Sequence, residues 1–272
     1  MAKTIFITGA SRGFGKIWAE AFLKRGDKVV ATARDISTLN DLTKQYGDSI
    51  LALQLDVNDR DADFAAIQQA KAHFGSIDVL INNAGYGLFG SVEETSEKEA
   101  RDQMETNFFG LLWLTQAAIP VMREQGQGHI IQVSSVLGLV AAPILSIYNA
   151  SKFAVEGLSE TLAAEVKGFG IKVSIVEPNG FSTDWGSASA VHSVALPQYD
   201  EMKAKQQASF TADFFGKPEA TTDAILKLID SENPPLRLFL GKIGYQWVKQ
   251  VYAGRAAEWD EWNDVSVAAH GH

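Results

Sequence analysis

The hydrophobic pattern of the chain alternates between short apolar runs and longer amphipathic segments. The apolar runs are typical of strands buried on both faces, and they lie at residues 4–8, 28–32, 50–55, 79–82, 129–133, 172–176 and 236–240. The amphipathic segments predict helices at residues 15–25, 37–46, 61–74, 96–123 and 148–169. Strands that alternate with helices are joined by right-handed crossovers, so the pattern predicts an α/β fold with a doubly wound parallel sheet.

Two later regions depart from this alternation. Residues 182–217 mix Gly, Ala and Ser with large aromatic residues, whereas residues 244–262 predict a terminal helix rich in Tyr and Trp. The aromatic side chains of both regions could pack in the core or form an oligomer contact. Because no repeat or linker divides the chain, we expect one domain over residues 1–272 with a helical extension at about 242–263.

A glycine-rich turn follows the first predicted strand directly. It reads Thr8-Gly9-Ala10-Ser11-Arg12-Gly13-Phe14-Gly15 and opens the first predicted helix. Glycine permits a tight turn and lets backbone N–H groups approach a pyrophosphate, whose charge the helix N-terminus favours. An ordinary strand–helix turn also tolerates such glycines, but the position after the first strand favours a dinucleotide site.

The end of the second predicted strand bears on which dinucleotide fits. A carboxylate there usually accepts the ribose 2′-hydroxyl of NAD, but this chain has Ala33 and Arg34, with Asp35 one residue further on. Arg34 and Arg12 could bind a 2′-phosphate through charge-assisted bonds, although any arginine can also be a solvated surface residue. The pattern favours NADP(H), and Asp56, just past the third strand, is placed for the adenine amino group.

Polar residues follow the later strands at their carboxyl ends, where ligands of α/β sheets bind. Asn82-Asn83-Ala84-Gly85 ends the fourth strand, and Ser135 follows the fifth. Tyr148 and Lys152 stand four residues apart, which places them on one face of the next helix. Asn107 lies in an otherwise apolar helical segment, as either a satisfied structural residue or a site residue. A Tyr-x-x-x-Lys pair alone is a weak signal of function. The interpretation therefore depends on all these residues and on their order along the chain.

In this order the motifs resemble those of the short-chain dehydrogenase/reductase family. The resemblance runs through Thr8–Gly15, Asp56, Asn82–Gly85, Asn107, Ser135, Tyr148, Lys152 and Pro178 to Thr183. It implies a Rossmann-type sheet of about seven strands with helices on both faces, and a homodimer or homotetramer. It also implies a catalytic tetrad, which here would be Asn107, Ser135, Tyr148 and Lys152.

The resemblance further implies a set of nucleotide contacts along the same edge of the sheet. For NADP(H) these would be Gly9, Ser11, Arg12, Gly13, Phe14, Gly15, Arg34, Asp56, Val57, Asn83, Ala84, Gly85, Tyr148, Lys152, Pro178, Phe181 and Thr183. The chain departs from the family after the sixth strand, where Pro178-Asn179-Gly180 replaces the usual Pro-Gly. Asn adopts the left-handed conformation more readily than most residues, so we expect the turn to survive and to keep Phe181 and Thr183 near the nicotinamide.

The candidate tetrad suits the reversible reduction of a ketone or aldehyde to an alcohol. Hydride transfer to a carbonyl carbon builds negative charge on its oxygen, which Ser135 can polarise and Tyr148 can protonate. A free tyrosine has a pKa of about 10, and we expect the Lys152 ammonium and the charge of oxidised nicotinamide to lower that of Tyr148 toward about 7. By resemblance, Lys152 also bonds the nicotinamide ribose, and Asn107 holds a water that links Lys152 to solvent.

Two other functions use the same fold. A catalytically weak regulatory protein that senses NADP(H) typically lacks the Tyr or the Lys, and this chain keeps both. An epimerase or dehydratase for nucleotide sugars usually carries a longer substrate region than the 32 residues that follow Leu240. The resemblance therefore favours an oxidoreductase of the carbonyl reductase or alcohol dehydrogenase type.

The substrate side is expected to be largely apolar. By resemblance, residues 182–217 would cover the site as a mobile lid. The wall is expected to include Trp185 and the Phe side chains of that region, together with Tyr86, Leu88, Phe89, Leu137, Val140 and Leu145. His192 of the same region could also touch the substrate, although nothing in the sequence requires it. Apolar residues are more often core than pocket, but together those of the expected wall favour a bulky, mainly apolar ketone over a sugar or a phosphorylated substrate.

Composition and net charge exclude several classes of function and of cellular location. The 272-residue chain has a net charge of −9 and no basic run, which gives no electrostatic footprint for nucleic acid or an anionic membrane. It has no cysteine, which excludes disulfides and a Cys nucleophile and fits a reducing compartment. No apolar run has the length of a spanning helix or of a signal-peptide core. The five histidines are not spaced along the chain as the ligands of a metal site would be; they are His73, His129, His192, His270 and His272. We therefore expect a cytoplasmic enzyme with a small-molecule substrate and no catalytic metal.

Overall fold

The computed structural model describes residues 2–186, 189–210 and 214–271 of the chain. Its strands are β1 Thr4–Ile7, β2 Lys28–Ala33, β3 Ile50–Gln54, β4 Val79–Asn82, β5 Leu88–Phe89, β6 Gly128–Val133, β7 Ile171–Pro178, β8 Val191–His192 and β9 Arg237–Leu240. Its α-helices are α1 Gly13–Arg25, α2 Asn40–Tyr46, α3 Arg60–Phe74, α4 Glu97–Met104, α5 Leu111–Gln125, α6 Ser146–Val166, α7 Asp200–Ser209, α8 Thr222–Asp230 and α9 Gly244–Ala268. Each strand predicted from the apolar runs is present, and its ends move by no more than two residues.

Within the described part of the chain, seven of these strands form one parallel sheet in the order β3-β2-β1-β4-β6-β7-β9. The chain builds outward in one direction from β1 to β3 and in the other direction from β4, so the order reverses between β1 and β4. Ligands of such sheets bind outside the carboxyl ends of the strands at this reversal. The predicted doubly wound α/β sheet is confirmed.

Helices cover both faces of the sheet, which explains why the strand sequences are apolar without alternation. Ile5 and Ile7 of β1 pack into one cluster with residues of α1 and α8, including Trp18 and Ile225. Phe6 packs into a second cluster with residues of α3, α5 and α6. Because successive residues of a strand point to opposite faces, β1 contributes to both clusters, as a strand buried on both sides does.

The segment predicted as one helix over residues 96–123 is interrupted. A π-helical turn at Glu105–Gly110 separates α4 from α5. A Cβ at Gly110 would lie 2.6 Å from the Val57 carbonyl oxygen, so the turn lies close against the loop after β3. The prediction of a continuous helix is wrong because an apolar period does not distinguish one inserted i→i+5 turn from regular helix.

Residues 182–217 contain more regular structure than the sequence pattern indicates. The two residues of β8 pair in parallel with those of β5, and α7 follows them. Strands of two residues are too short to show an alternating pattern, so the sequence does not reveal this second sheet. Positions 187, 188 and 211–213 of the expected lid, and His272 at the end of the chain, lie outside the described residues.

The terminal helix α9 has 25 residues and is longer than the sequence pattern predicts. It begins beside β9, where the ring centres of Tyr245 and Phe239 lie 5.8 Å apart. Among the described residues, no helix combines the length and the mean hydropathy that crossing a bilayer requires.

Candidate active site

A cavity of about 1580 Å³ lies along the carboxyl edge of the sheet, across the reversal between β1 and β4. Small-molecule sites usually have about 300–1,000 Å³, so this cavity has room for a large ligand together with a second molecule. Its wall includes the glycine turn, the ends of β2, β6 and β7, and residues of the 182–217 region.

The glycine turn leaves backbone N–H groups free at the start of α1. Gly9 and Gly13 have φ of +66° and +54°, which favours glycine at both positions. Arg12 is the N-cap of α1 but caps no N–H with its side chain, and the first turn has no acidic residue. These unsatisfied donors and the helix dipole favour an anion. Gly15 does not line the cavity, and a Cβ there would collide with the Gly9 carbonyl, so this position must be glycine for the turn to pack on α1.

Thr8 and Asn83 join the glycine turn to the end of β4. The Thr8 hydroxyl oxygen accepts hydrogen bonds from the backbone N–H groups of Asn83 and Ala84, both at 2.9 Å. The Asn83 side chain donates to the Thr8 carbonyl oxygen at 2.9 Å. Asn83 and Ala84 line the cavity as predicted, but the side chain of Asn83 holds the turn in place.

Arg12 of the glycine turn and Arg34 after β2 lie exposed on the cavity wall, and neither guanidinium forms a hydrogen bond or an ion pair with any described residue. Asp35 accepts hydrogen bonds from the backbone N–H and the hydroxyl of Ser37, at 3.0 and 2.7 Å. The Ser37 hydroxyl and then its N–H lower the pKa of Asp35. The carboxylate thus caps a 3₁₀ turn, while the two guanidinium groups remain available.

Asp56 and Val57, which the sequence assigns to the nucleotide contacts, line the same end of the cavity. Asp56 accepts a hydrogen bond from the backbone N–H of Asn58 at 3.1 Å. The sequence interpretation did not include Thr32, Ala33, Leu55 and Asn58, which also line this part of the wall. Their position at or just beyond the ends of β2 and β3 is the signal that could have identified them.

Tyr148, Lys152 and Ser135 come together at the centre of the cavity wall, and all three are buried. The Ser135 hydroxyl accepts a hydrogen bond from the Leu137 N–H at 3.1 Å, and its interaction with the Tyr148 phenol lowers the pKa of that phenol. The Lys152 ammonium lies 5.7 Å from the centre of the Tyr148 ring and donates to the Val133 carbonyl oxygen at 2.8 Å. The i, i+4 spacing on α6 therefore places phenol and ammonium side by side.

Burial dominates the ionisation of this group. It raises the pKa of Tyr148, and the interaction with Ser135 opposes this rise only in part. It lowers the pKa of Lys152 to about 8, against the opposing charge of Glu156. The expected lowering of the Tyr148 pKa by Lys152 is therefore wrong for the chain by itself, because desolvation of the phenolate outweighs its favourable interactions.

The side chain of Asn107 holds the loop after β4 in place through two hydrogen bonds to the backbone of Tyr86. Its side-chain oxygen accepts from the Tyr86 N–H, and its amide donates to the Tyr86 carbonyl oxygen, both at 3.0 Å. The same amide donates to the Ser151 hydroxyl at 3.3 Å. A Cβ at Gly85 would lie 3.1 Å from the Asn107 side-chain oxygen and 3.9 Å from the Lys152 ammonium. Asn107 thus lies close to Lys152, but it does not line the cavity and its polar side-chain atoms have protein partners.

Two buried carboxyl groups lie behind Lys152, and the sequence interpretation missed them. Arg237 Nε donates to Glu156 at 3.0 Å and lies 3.4 Å from Glu177. Burial, and then the charge of Glu156, raise the pKa of Glu177 to about 8. Glu156 follows Lys152 by one helical turn, and Glu177 is an acid inside the apolar strand β7, which are the signals that could have revealed the pair.

The far side of the cavity is apolar. Trp185 packs edge-on against Tyr148, with ring centres 4.9 Å apart, and contacts Phe89 at 5.5 Å. Tyr86, Leu137, Leu145 and Trp185 line the wall as predicted. Leu88 and Val140 do not, because both are buried in the interior. The wall also includes His192, Phe210, Phe214 and Phe215 of the expected lid. Residues absent from the prediction also line it, namely Met202, Gln206, Ile243 and Trp247.

The turn after β7 keeps its place without left-handed Asn179. Among non-glycine residues of the described chain, Ile144 alone has a positive φ, so the expected reason for tolerating Asn is wrong. Asn179 instead continues the pairing of β7 with β9, since its N–H donates to the Leu240 carbonyl oxygen at 3.0 Å. Gly241 leaves space for the Asn179 side chain, which a Cβ would occupy. Pro178, Phe181 and Thr183 line the cavity, as expected for an intact turn.

Comparisons with known proteins agree with this architecture. The short chain dehydrogenase family model matches residues 3–192. An oxidoreductase of Botryotinia fuckeliana, BOA17, is 38% identical over 99% of this chain and 100% of its own length. The 3-ketodihydrosphingosine reductase of Bacteroides thetaiotaomicron is 36% identical over 88% of each chain. The crystal structure of a short-chain dehydrogenase from Streptomyces avermitilis is similar with a TM-score of 0.91, at 40% identity and 98% coverage of both chains. The chain therefore belongs to the short-chain dehydrogenase/reductase family of oxidoreductases.

Proposed function

We propose that the protein is an NADP(H)-dependent carbonyl reductase that reversibly converts a bulky, mainly apolar ketone into an alcohol. The observation that carries the proposal is the position of Tyr148, which lies beside Lys152 and interacts with Ser135. These groups lie on the wall of a cavity whose other walls are the glycine turn and an apolar surface. In this proposal Tyr148 is the proton donor, and it lies between the groove beside the glycine turn and an apolar chamber.

The residues of the groove fit a dinucleotide. The uncapped N-terminus of α1 offers N–H donors for a pyrophosphate, as in other nucleotide-binding α/β folds. Arg12 and Arg34 have no competing partner among the described residues, while the carboxylate of Asp35 is engaged by Ser37. Two free guanidinium groups suit a 2′-phosphate better than a ribose diol, which favours NADP(H) over NAD(H).

The side chains at the centre of the wall provide the proton. When bound, the reduced nicotinamide supplies the hydride to the carbonyl carbon. Ser135 donates a hydrogen bond to the carbonyl oxygen as negative charge develops on it, and the Tyr148 O–H gives its proton to that oxygen. The high pKa of Tyr148 keeps the phenol neutral, which is the form a donor needs. The Lys152 ammonium then stabilises the phenolate until it is reprotonated from solvent.

The apolar chamber supports the choice of substrate class. Trp185, Leu137 and Leu145 face the space beside Tyr148, and the aromatic residues of the 182–217 region extend that surface. A pocket of this kind favours ligands by the apolar area that they bury. The relative from Bacteroides thetaiotaomicron is, by its name, a reductase of a keto group, which is consistent with the proposed reaction.

The proposal is tested by following NADPH and NADH oxidation against a panel of ketones and aldehydes. We expect turnover with NADPH, with the highest kcat/KM for bulky apolar ketones and little for sugars or phosphorylated carbonyls. Tight NADPH binding without turnover on any carbonyl would contradict the proposed reaction and favour a regulatory role. Preference for small charged substrates would contradict only the proposed substrate class.

A further inference from the structure

The second half of α9 extends beyond the body of the protein. We call residues 256–268 the arm and residues 244–255 the base. Every residue of the arm is exposed, including Trp259 at 64% and Trp262 at 60%. Val265 and Val267 are also exposed, each at 59%. A solitary helix of this length is marginal in water, and two tryptophans exposed to this degree mark an interaction surface.

The arm is acidic as well as aromatic. Its charged residues are Glu258, Asp260, Glu261 and Asp264, and its sequence includes no Lys or Arg. An anionic membrane would repel such a segment, because surface-binding helices depend on basic residues for electrostatic attraction. The arm therefore fits a partner that presents aromatic or aliphatic side chains beside positive charge.

The base of α9 has this complementary character. Tyr245, Lys249 and Tyr252 are exposed and follow one another at i, i+4 and i+7, which places them on one face of the helix. Lys249 lies 5.5 Å from the ring centre of Tyr245, and the guanidinium of Arg255 lies 5.1 Å from that of Tyr252. The base thus presents an aromatic and basic patch.

The two patches cannot meet within one chain. Lys249 and Asp264 are fifteen positions apart on the same helix, which separates them by about 22 Å along its axis. A second copy in the antiparallel orientation brings the arm of each chain against the base of the other. A two-fold axis forms both contacts at once, because an isologous interface uses the same surface twice.

We propose that α9 is a self-association surface, on which the arm of one copy binds the base of a second copy around a two-fold axis. A buried aromatic side chain contributes about 150–250 Å². At half that value, since they are already partly covered, Tyr245, Tyr252, Trp259 and Trp262 supply roughly 300–500 Å² on each copy. This is about half of the roughly 800 Å² that each partner buries in a specific interface, and the neighbouring arm residues add to it.

The first test is sedimentation velocity of the full chain over a dilution series. We expect a dimer for the unmodified protein and a rise of at least about 30-fold in its dissociation constant for Trp259→Ala with Trp262→Ala, as for aromatic hot spots. The matched control is Phe169→Ala with Val92→Ala, which removes exposed apolar side chains elsewhere and should leave the dimer unchanged. Circular dichroism and NADPH binding should be unchanged in both variants, which shows that the fold is retained.

Charge reversal tests the identity of the partner. Lys242 is exposed two residues before the base and adds to its positive charge. Lys242→Glu with Lys249→Glu should weaken the dimer, as should Asp260→Lys with Asp264→Lys, and all four changes together should restore much of it. A monomer at every concentration would overturn the proposal, as would a dimer that persists without the two tryptophans or no recovery in the fourfold variant. Trp-dependent binding of the unmodified protein to phosphatidylcholine vesicles would also overturn it, because the arm would then bind a membrane.

Discussion

Burial, more than any single ion pair, sets the protonation of the residues at the cavity wall. Tyr148 and Lys152 are both buried, and desolvation favours the neutral form of each. A neutral phenol suits proton donation, but a lysine with a pKa of about 8 is close to losing its charge at neutral pH. Glu156, one helical turn further along α6, is the group that opposes this loss. The balance at the site therefore depends on a residue outside the Tyr-x-x-x-Lys motif.

Removal of the phenolic hydroxyl should reduce catalysis without loss of the nucleotide site. We expect Tyr148→Phe to lower kcat by about 10²–10⁴-fold, the usual contribution of a positioned acid, with little change in the Kd for NADPH. Steady-state kinetics and fluorescence titration measure the two quantities. Tyr199→Phe is the matched control, since the Tyr199 hydroxyl donates to Glu93 on an exposed part of the chain. Full turnover in Tyr148→Phe would remove Tyr148 from the proposed mechanism.

Substitution of Glu156 should change the pH dependence in a defined direction. The Glu156 carboxylate raises the pKa of Lys152 against the effect of burial, so Glu156→Gln should lower it further below about 8. The ammonium is present below its pKa and lost as pH rises through it, so the alkaline limb of kcat/KM should move to lower pH. Glu160→Gln is the control, because Glu160 also pairs with Arg237 but lies on the exposed side. An alkaline limb that stays in place would contradict a role for Glu156.

The apolar runs predict each strand of the main sheet. Helices bury both faces of this sheet, so successive residues of each strand are apolar and the strand is visible in the sequence. The pattern does not predict elements whose form depends on distant contacts. The π-helical turn at Glu105–Gly110 lies where Gly110 packs on Val57, and the pairing of β5 with β8 joins segments about a hundred residues apart. Tertiary contacts determine both features, so the local hydrophobic periodicity of the sequence does not predict them.

Glu94 attaches the 189–210 segment to the body of the protein. Its carboxylate accepts from the backbone N–H groups of Leu196 and Ser91, at 2.7 and 2.9 Å, and pairs with Lys203 of α7. These bonds, with that of Leu196 first, lower the pKa of Glu94 to about 2. The carboxylate is therefore charged, and the contact intact, throughout the range in which the protein would work.

Loss of this contact should release α7 and weaken substrate binding. We expect Glu94→Ala to raise the KM for bulky ketones several-fold with a smaller change in kcat, because the segment lines the substrate side and not the proton donor. Tryptic cleavage at Lys203 and Lys205 should become faster. Glu93→Ala removes the neighbouring exposed carboxylate, bonded to Tyr199, and serves as the control. Equal cleavage rates in both variants would contradict the role of Glu94 as an anchor.

Across the whole molecule, the site is built from segments whose order along the chain is visible in the sequence but whose positions in space are not. The family resemblance leads to the glycine turn, Ser135, Tyr148 and Lys152, and the parallel sheet explains why strand ends meet at one edge. The acid pair behind Lys152 was missed, since Arg237 of β9 reaches Glu156 of α6 across 81 positions in the chain. The partners of such buried charges become visible only when the sheet order is known.

The contacts of the glycine turn predict how nucleotide binding affects the stability of the whole fold. Phe14 stacks on Trp18 at 5.0 Å and contacts Phe181 at 5.2 Å, and the Trp18 indole donates to Thr221 at 2.8 Å. A ligand that holds this turn therefore stabilises α1, the segment after β7 and the start of α8 together. A single-site ligand at a hundred times its Kd adds about 2.7 kcal/mol to the free energy of unfolding, which corresponds to a rise of roughly 5–10 °C in Tm for a chain of this size.

NADPH should produce this rise in differential scanning calorimetry, and NADH at the same concentration should produce a smaller one. Arg34→Ala removes a charge-assisted bond worth about 1.5–3 kcal/mol, so it should reduce the NADPH effect and leave that of NADH nearly unchanged. Arg101→Ala is the control, because Arg101 pairs only with Glu97 among the described residues and lies away from the cavity. Equal effects of the two nucleotides on the unmodified protein would contradict the assignment of the 2′-phosphate to Arg34, because binding would then not depend on the group that distinguishes them.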